Sequence, residues 1–328
     1  MADKASRALV IFGDGFMPLI SHSHSHIHSL ASQASCGFLS LRDSPPLAEN
    51  VDETAVSELL QLLDAYGYVQ KKSEGFTTDA TLEFQEDLLV PSLSERFMGL
   101  RTAILTTCTS AKSLGRTLGF NSLQFDELIK DNHCRIDLGE LPDAFTIASE
   151  LLRLLGFFDG EITEQSEFDL VCVHIKALEK ARDPSFNVAN TEVEWLNAFV
   201  GEVMQIAQPG SKIASRLHLS LVMSYKVDSD YERDSSLTMI SPTRTDSNLS
   251  LLFPNQSYTM KGGSLLNNIR HHHPMLVAQW QEAVTRRDMA RAFSFKEFQE
   301  YGGNLAILAD RFLHELAFKL WKAPKYGA

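Results

Sequence analysis

Ala8-Leu-Val-Ile-Phe12-Gly-Asp14-Gly15 is a short apolar run that ends in an acidic turn. Five consecutive apolar residues without alternation predict a central strand buried on both faces, as in a parallel sheet covered by helices. Asp14 then falls at the carboxyl edge of that sheet, where open α/β folds bind ligands, and a carboxylate there suits a hard cation. Asp-Gly also forms turns for backbone reasons alone, so the pair carries a structural reading beside the chemical one.

Outward from this stretch, similar runs at residues 37–41, 102–107, 169–175 and 218–223 predict further buried strands, with shorter ones at 249–253 and 274–278. Between them, apolar residues return every three or four positions over 54–66, 142–155 and 191–207, the spacing of helices with one buried face. Leu305, Leu308, Phe312, Leu316 and Leu320 form one more helical stripe over 305–321. Strands alternating with helices predict a three-layer α/β/α fold with a mostly parallel sheet. Residues 70–81 and 228–247 are polar, lack either period and read as loops. With no internal repeat and no clear linker, the expectation is one domain over residues 1–328.

The 328 residues are 44% hydrophobic, enough to bury a large core. A net charge of −12 and a pI near 5.4 disfavour nucleic acid or an anionic membrane as the partner, because each would repel an acidic surface. Met1 to Arg7 is polar and no apolar stretch approaches the roughly 18 residues of a membrane span, so a cytoplasmic location is expected. Cys36, Cys108, Cys134 and Cys172 are widely separated and read as free thiols in a reducing compartment.

Four segments taken together carry a resemblance: Ala8 to Gly15, Ser29-Leu-Ala-Ser-Gln-Ala-Ser-Cys-Gly37, Gly115-Arg-Thr-Leu-Gly-Phe120 and Phe168-Asp-Leu-Val-Cys-Val-His-Ile-Lys-Ala177. In this order they resemble the archaeal-type cofactor-independent phosphoglycerate mutases of the alkaline phosphatase superfamily, discontinuously from the N-terminus to about residue 280. The resemblance implies an alkaline-phosphatase-like core and a two-metal phosphotransferase, in which a serine takes up the phosphoryl group and returns it to another oxygen of the substrate. Two cations about 4 Å apart would stabilise the attacking and leaving oxygens. Asp14 matches the first ligand of that family, and His271 in Arg270-His-His-His-Pro-Met275 falls where the family has a His.

The remaining family positions are filled by residues of the wrong chemistry. Leu178 and Arg182 stand where the resemblance implies an Asp and a His, and Ser224-Tyr225 stand where it implies an Asp-His pair. Between Leu41 and Thr102 there are only about 60 residues, opening with Arg42-Asp-Ser-Pro-Pro46. A reduced connection at about 42–100 thus replaces the nucleophile turn and the inserted cap domain. Ser44 is the one hydroxyl near the strand end, a weak candidate nucleophile with nothing evident to lower its pKa.

Two histidine clusters are further candidates. His22, His24, His26 and His28 alternate with Ser21, Ser23, Ser25 and Ile27 ahead of a helix. In helical geometry His24 and His28 lie one turn apart, a spacing that can bind a transition metal, while the plainer reading is a solvated helix start. His271-His272-His273 contains the residue matched to a ligand. Gln256 to Gly263 with Lys261 reads as a surface loop before an anion cradle, and Asp310 with His314 as a helix pair before a catalytic dyad. No P-loop, Rossmann fingerprint or esterase elbow is present.

The expected function is therefore a degenerate, catalytically silent relative that binds a small phosphorylated ligand or a protein partner, a paralogue included. The alternative is an active mutase or phosphatase holding Mn, Mg or Zn in a site rebuilt from Asp14, His271 and the N-terminal histidines.

Overall fold

β1 (Arg7–Asp14) runs through an eight-stranded sheet and is buried from Ala8 onward. It pairs in parallel with β7 (Leu170–Lys176) on one side and β8 (Leu217–Met223) on the other. The structure is a computed structural model and describes residues 6–42, 51–66, 90–129, 141–177, 188–225, 260–261, 264–265, 269–270, 273–302 and 306–324.

The sheet is completed by β2 (Ser35–Ser40), β3 (Thr102–Thr106), β4 (Asn121–Leu123), β11 (Met275–Trp280) and β12 (Ala306–Leu308), in the order β12-β2-β11-β8-β1-β7-β3-β4. Its pairings are parallel except those of β11, which runs antiparallel between β2 and β8. Outside it, β5 (Phe157–Phe158) pairs with β6 (Glu161–Ile162) and β9 (Met260–Lys261) with β10 (Ser264–Leu265). The five long apolar runs are all strands, and 274–278 corresponds to β11. The stretches 70–81, 228–247 and 249–253 lie outside the described residues.

The helices are α1 (Ser25–Gln33), α2 (Val51–Leu62), α3 (Leu93–Arg96), α4 (Thr109–Thr117), α5 (Phe125–Leu128), α6 (Ala144–Leu154), α7 (Val188–Ile206), α8 (Phe295–Tyr301) and α9 (Ala309–Lys319). One expectation needs correction. The stripe over 305–321 is not a single helix: Ala306–Leu308 pair in parallel with β2, and α9 begins at Ala309. Ala-Ile-Leu fits either period, and the unpaired backbone groups along the edge of β2 decide in favour of a strand.

Alternation along β1 sends its side chains into two cores. Leu9 and Ile11 pack with residues of α1, α6, α7 and α8, whereas Ala8, Val10 and Phe12 pack with residues of α2, α4 and α9. Helices on both faces give the three layers. α1 has no side-chain cap of its own; Asn197 of α7 supplies one, its Oδ1 accepting from the N–H groups of His26 (3.1 Å) and Ile27 (3.2 Å).

Polar groups are also sealed into the second core at the edge where the parallel strands begin. His218 is fully buried there, with Lys319 Nζ of α9 at 3.5 Å from its Nε2 and at 3.4 Å from Gln279 Oε1. Burial, reinforced by the Lys319 charge, holds the His218 pKa well below its usual 6.5. Below about pH 6.5 the unfolded chain takes up a proton that the folded chain refuses, so stability is complete above that pH and is lost as the pH falls. Urea unfolding between about pH 6.5 and 5 is expected to show the wild type losing stability relative to His218→Gln as the pH falls, the contributions of the other buried groups being common to both proteins. Parallel curves for the two proteins would contradict the assignment.

Candidate active site

β1, β3, β7 and β8 all end at the same edge of the sheet. Asp14, Thr106, His174 and Ser224 lie there in phase with Phe12, Ile104, Cys172 and Val222, and so face the core formed with α2, α4 and α9. The chain reverses at Gly15, whose φ of +80° lies in the left-handed region that favours glycine. Ala177 N–H donates to the Asp14 carbonyl (2.9 Å) and Ser224 N–H to the Gly13 carbonyl (3.1 Å), so the ends of β7 and β8 clamp the Asp14 turn.

Both Asp14 carboxylate oxygens face groups of the chain itself. The Ser224 hydroxyl donates to Oδ1 (3.3 Å) while accepting from Gly15 N–H (3.0 Å), and His174 Nε2 approaches Oδ2 (3.4 Å). The His174 ring is oriented from behind. Thr106 Oγ1 accepts from Cys108 N–H (3.1 Å) and lies 2.8 Å from His174 Nδ1; when its hydroxyl donates to Nδ1, a neutral ring carries its proton on Nε2, which faces Asp14. Asp14, His174 and Ser224 are all buried.

Glu58 enters from α2. Its carboxylate pairs with Arg270 Nη2 (3.1 Å), which also donates to the His273 carbonyl (2.6 Å). Burial raises the Glu58 pKa to about 7; the Arg270 charge opposes the rise, and the Asp14 charge adds to it. One helical turn on, Gln61 pairs its side-chain amide with the Arg42 backbone, accepting from the N–H (2.6 Å) and donating to the carbonyl (3.2 Å). α2 is thus pinned by two buried polar side chains to the chain just beyond β2 and to Arg270.

No protein-family model matches this chain, and no curated protein matches it. Among solved structures it is similar to the PH0037 protein from Pyrococcus horikoshii, with 12% identity over 99% of each chain and a TM-score of 0.53. It is also similar to Ps i-CgsB in complex with k-i-k-neocarrahexaose, at 9% identity over 98% of this chain and 73% of that one, with a TM-score of 0.51. The cofactor-independent phosphoglycerate mutase from Thermoplasma acidophilum aligns over 96% of this chain and 99% of its own, at 10% identity and a TM-score of 0.43. What is shared is the fold. It is an α/β fold with a mostly parallel sheet covered by helices on both faces.

On that core, Asp14 occupies the strand end where the sequence places it. Ser224 is beside it, and Tyr225 stacks on the His273 ring with centroids 4.9 Å apart. Ser44, Leu178, Arg182, His271 and Cys134 lie outside the described residues. His24 and His28 do not offer a shared pair of open nitrogens. His24 is buried, its Nδ1 accepting from Ser21 N–H (2.9 Å) and its Nε2 lying 3.4 Å from Glu194 Oε1. His28 Nδ1 accepts from Phe293 N–H (3.0 Å), so its Nε2 carries the proton and donates to the Ser21 carbonyl (2.9 Å). The solvated helix start therefore holds for His22 and His26, which are exposed, and fails for His24, which α7 covers. Asp310 binds Arg42 (2.8 Å) and His314 lies by the Pro324 carbonyl (3.3 Å). Burial raises the thiol pKa of Cys36 and Cys172 to about 12, which makes both inert.

His174, Thr106, Glu58 and Arg270 are the members that motif reading missed. The available signal was phase: His174 is the one imidazole in an otherwise apolar β7, two residues from the strand end and on the Asp14 face. A two-metal centre does not fit these residues. Among the described residues no three His, Cys, Asp or Glu side chains are grouped to hold a metal. Ser224 presents a neutral hydroxyl to Asp14, and a guanidinium stands against the second carboxylate.

The Thr106 hydroxyl is assigned the orientation of His174. Thr106→Val is expected to destabilise by about 1–3 kcal/mol in denaturant unfolding, because Nδ1 loses its donor in a buried setting, while Thr106→Ser should stay within about 1 kcal/mol of wild type. Equal losses in the two variants would remove the hydrogen bond from the account.

Proposed function

We propose that this chain is a catalytically silent, phosphoglycerate-mutase-like protein that acts by binding a small phosphorylated ligand or a protein partner. The single observation that carries the reading is the state of Asp14. Metal-assisted phosphoryl transfer needs a carboxylate that is open to a cation and surrounded by further anionic or imidazole ligands. Here its two oxygens each face a group of the chain itself, Ser224 at 3.3 Å and His174 at 3.4 Å, and the buried acid Glu58 is paired with Arg270. An Arg beside a dication would be repelled, and a Ser hydroxyl is a weak ligand in place of a carboxylate.

The test measures bound metal in the purified protein, together with phosphomonoester hydrolysis and phosphoglycerate isomerisation under added Mn, Mg or Zn. No stoichiometric metal and no turnover above a heat-inactivated control are expected. Turnover that requires one of these metals and disappears in Asp14→Ala would replace the silent reading with that of an active enzyme.

A further inference from the structure

Two acids and one guanidinium meet where the parallel strands end. Glu58 is buried in α2 and Asp14 is buried at the end of β1, where the Ser224 hydroxyl lies 3.3 Å from Asp14 Oδ1, and the Asp14 charge acts on Glu58. Two carboxylates removed from water near each other repel and lose hydration, so the fold needs a positive charge beside them. Arg270 is that charge. Its side chain is only 10% exposed and its Nη2 lies 3.1 Å from Glu58 Oε1. The guanidinium is aimed by its own surroundings: Nη2 also donates to the His273 carbonyl (2.6 Å), and the Arg270 N–H donates to the Leu41 carbonyl (2.8 Å), which ties the residue to the chain leaving β2.

We infer that Arg270 is a resident counter-cation for the Asp14–Glu58 pair, supplying from the chain itself the positive charge that a bound divalent metal would supply at such a strand edge. The inference rests on the silent reading and deepens it, because it states what replaced the metal. The exchange is physically reasonable. A guanidinium is charged at every accessible pH and offers five donors in a fixed plane, so it neutralises acids without an open coordination sphere. What it cannot do is polarise a phosphoryl oxygen as a Lewis acid or generate a hydroxide. The same substitution that stabilises the fold thereby removes the chemistry. It also gives a reason for Glu58 on α2: an acid at that position would be unfavourable without Arg270, and Arg270 would be unfavourable without the acid.

The test compares wild type, Arg270→Gln, Arg270→Lys and Asp14→Asn/Arg270→Gln by thermal unfolding at pH 8, with and without about 5 mM MnCl2 or CaCl2. Removing the guanidinium should leave a carboxylate pair that recruits the cation, so the midpoint of Arg270→Gln should rise by at least about 2 °C. Wild type and Arg270→Lys should not respond, and the double variant should lose the response. A wild type that responds as strongly as Arg270→Gln overturns the inference, as does a folded Arg270→Gln that ignores both ions. If Arg270→Gln does not fold, Glu58→Gln/Arg270→Gln decides. With no buried acid left to neutralise on α2, that protein should fold and recover native circular dichroism, and equal failure of single and double variants overturns the inference. These outcomes are separate from turnover: a silent protein whose Arg270→Gln variant ignores cations would reject the counter-cation and leave the proposed function standing.

Discussion

A carboxylate at the buried end of a central parallel strand has to be satisfied, and the Asp14 end of the molecule is arranged around that requirement. The strand cannot move, because β7 and β8 clamp it on both sides through backbone hydrogen bonds. The carboxylate therefore meets whatever the neighbouring strand ends present. They present an imidazole oriented by a threonine and a serine hydroxyl held by the Gly15 amide. An unpaired charge at that depth would be unfavourable by several kcal/mol, which makes the network a condition of the fold as much as a vestige of a site.

The second acid extends the same logic to another layer. Glu58 and Gln61 are buried polar residues on one face of α2, and each is answered by a group on the chain between β2 and β11. Apolar burial alone would allow α2 to slide along the sheet. Two directional polar contacts, one ionic and one amide to backbone, set its position, and with it the distance between Glu58 and Asp14. The contacts that assemble the acidic pair are those that hold the helix, so changes to Glu58 or Arg270 act on stability and on site electrostatics together.

An enzyme built on such a sheet edge keeps its ligands apart with bound cations and leaves at least one coordination position for substrate. Here Asp14 faces His174 and Ser224, and Glu58 is paired with Arg270.

The sequence by itself determined the sheet. Near-continuous apolar runs suit burial on both faces, so β1, β2, β3, β7 and β8 and the place of Asp14 at the strand end were legible from composition and spacing. It also determined that Leu178, Arg182 and Ser224-Tyr225 do not match the chemistry of the resembling family. Only the tertiary structure decided which distant residues share the Asp14 site. Glu58 lies 44 positions away in a helix whose apolar spacing concealed it, and Arg270 lies beyond a long loop-like stretch next to a histidine run that drew attention first. Periodicity reports which face of an element is buried. Which buried polar groups meet depends on strand order and on how α2 is seated, and neither is written in local spacing. The same holds for His24, which local pattern placed in solvent and the packing of α7 against α1 buried.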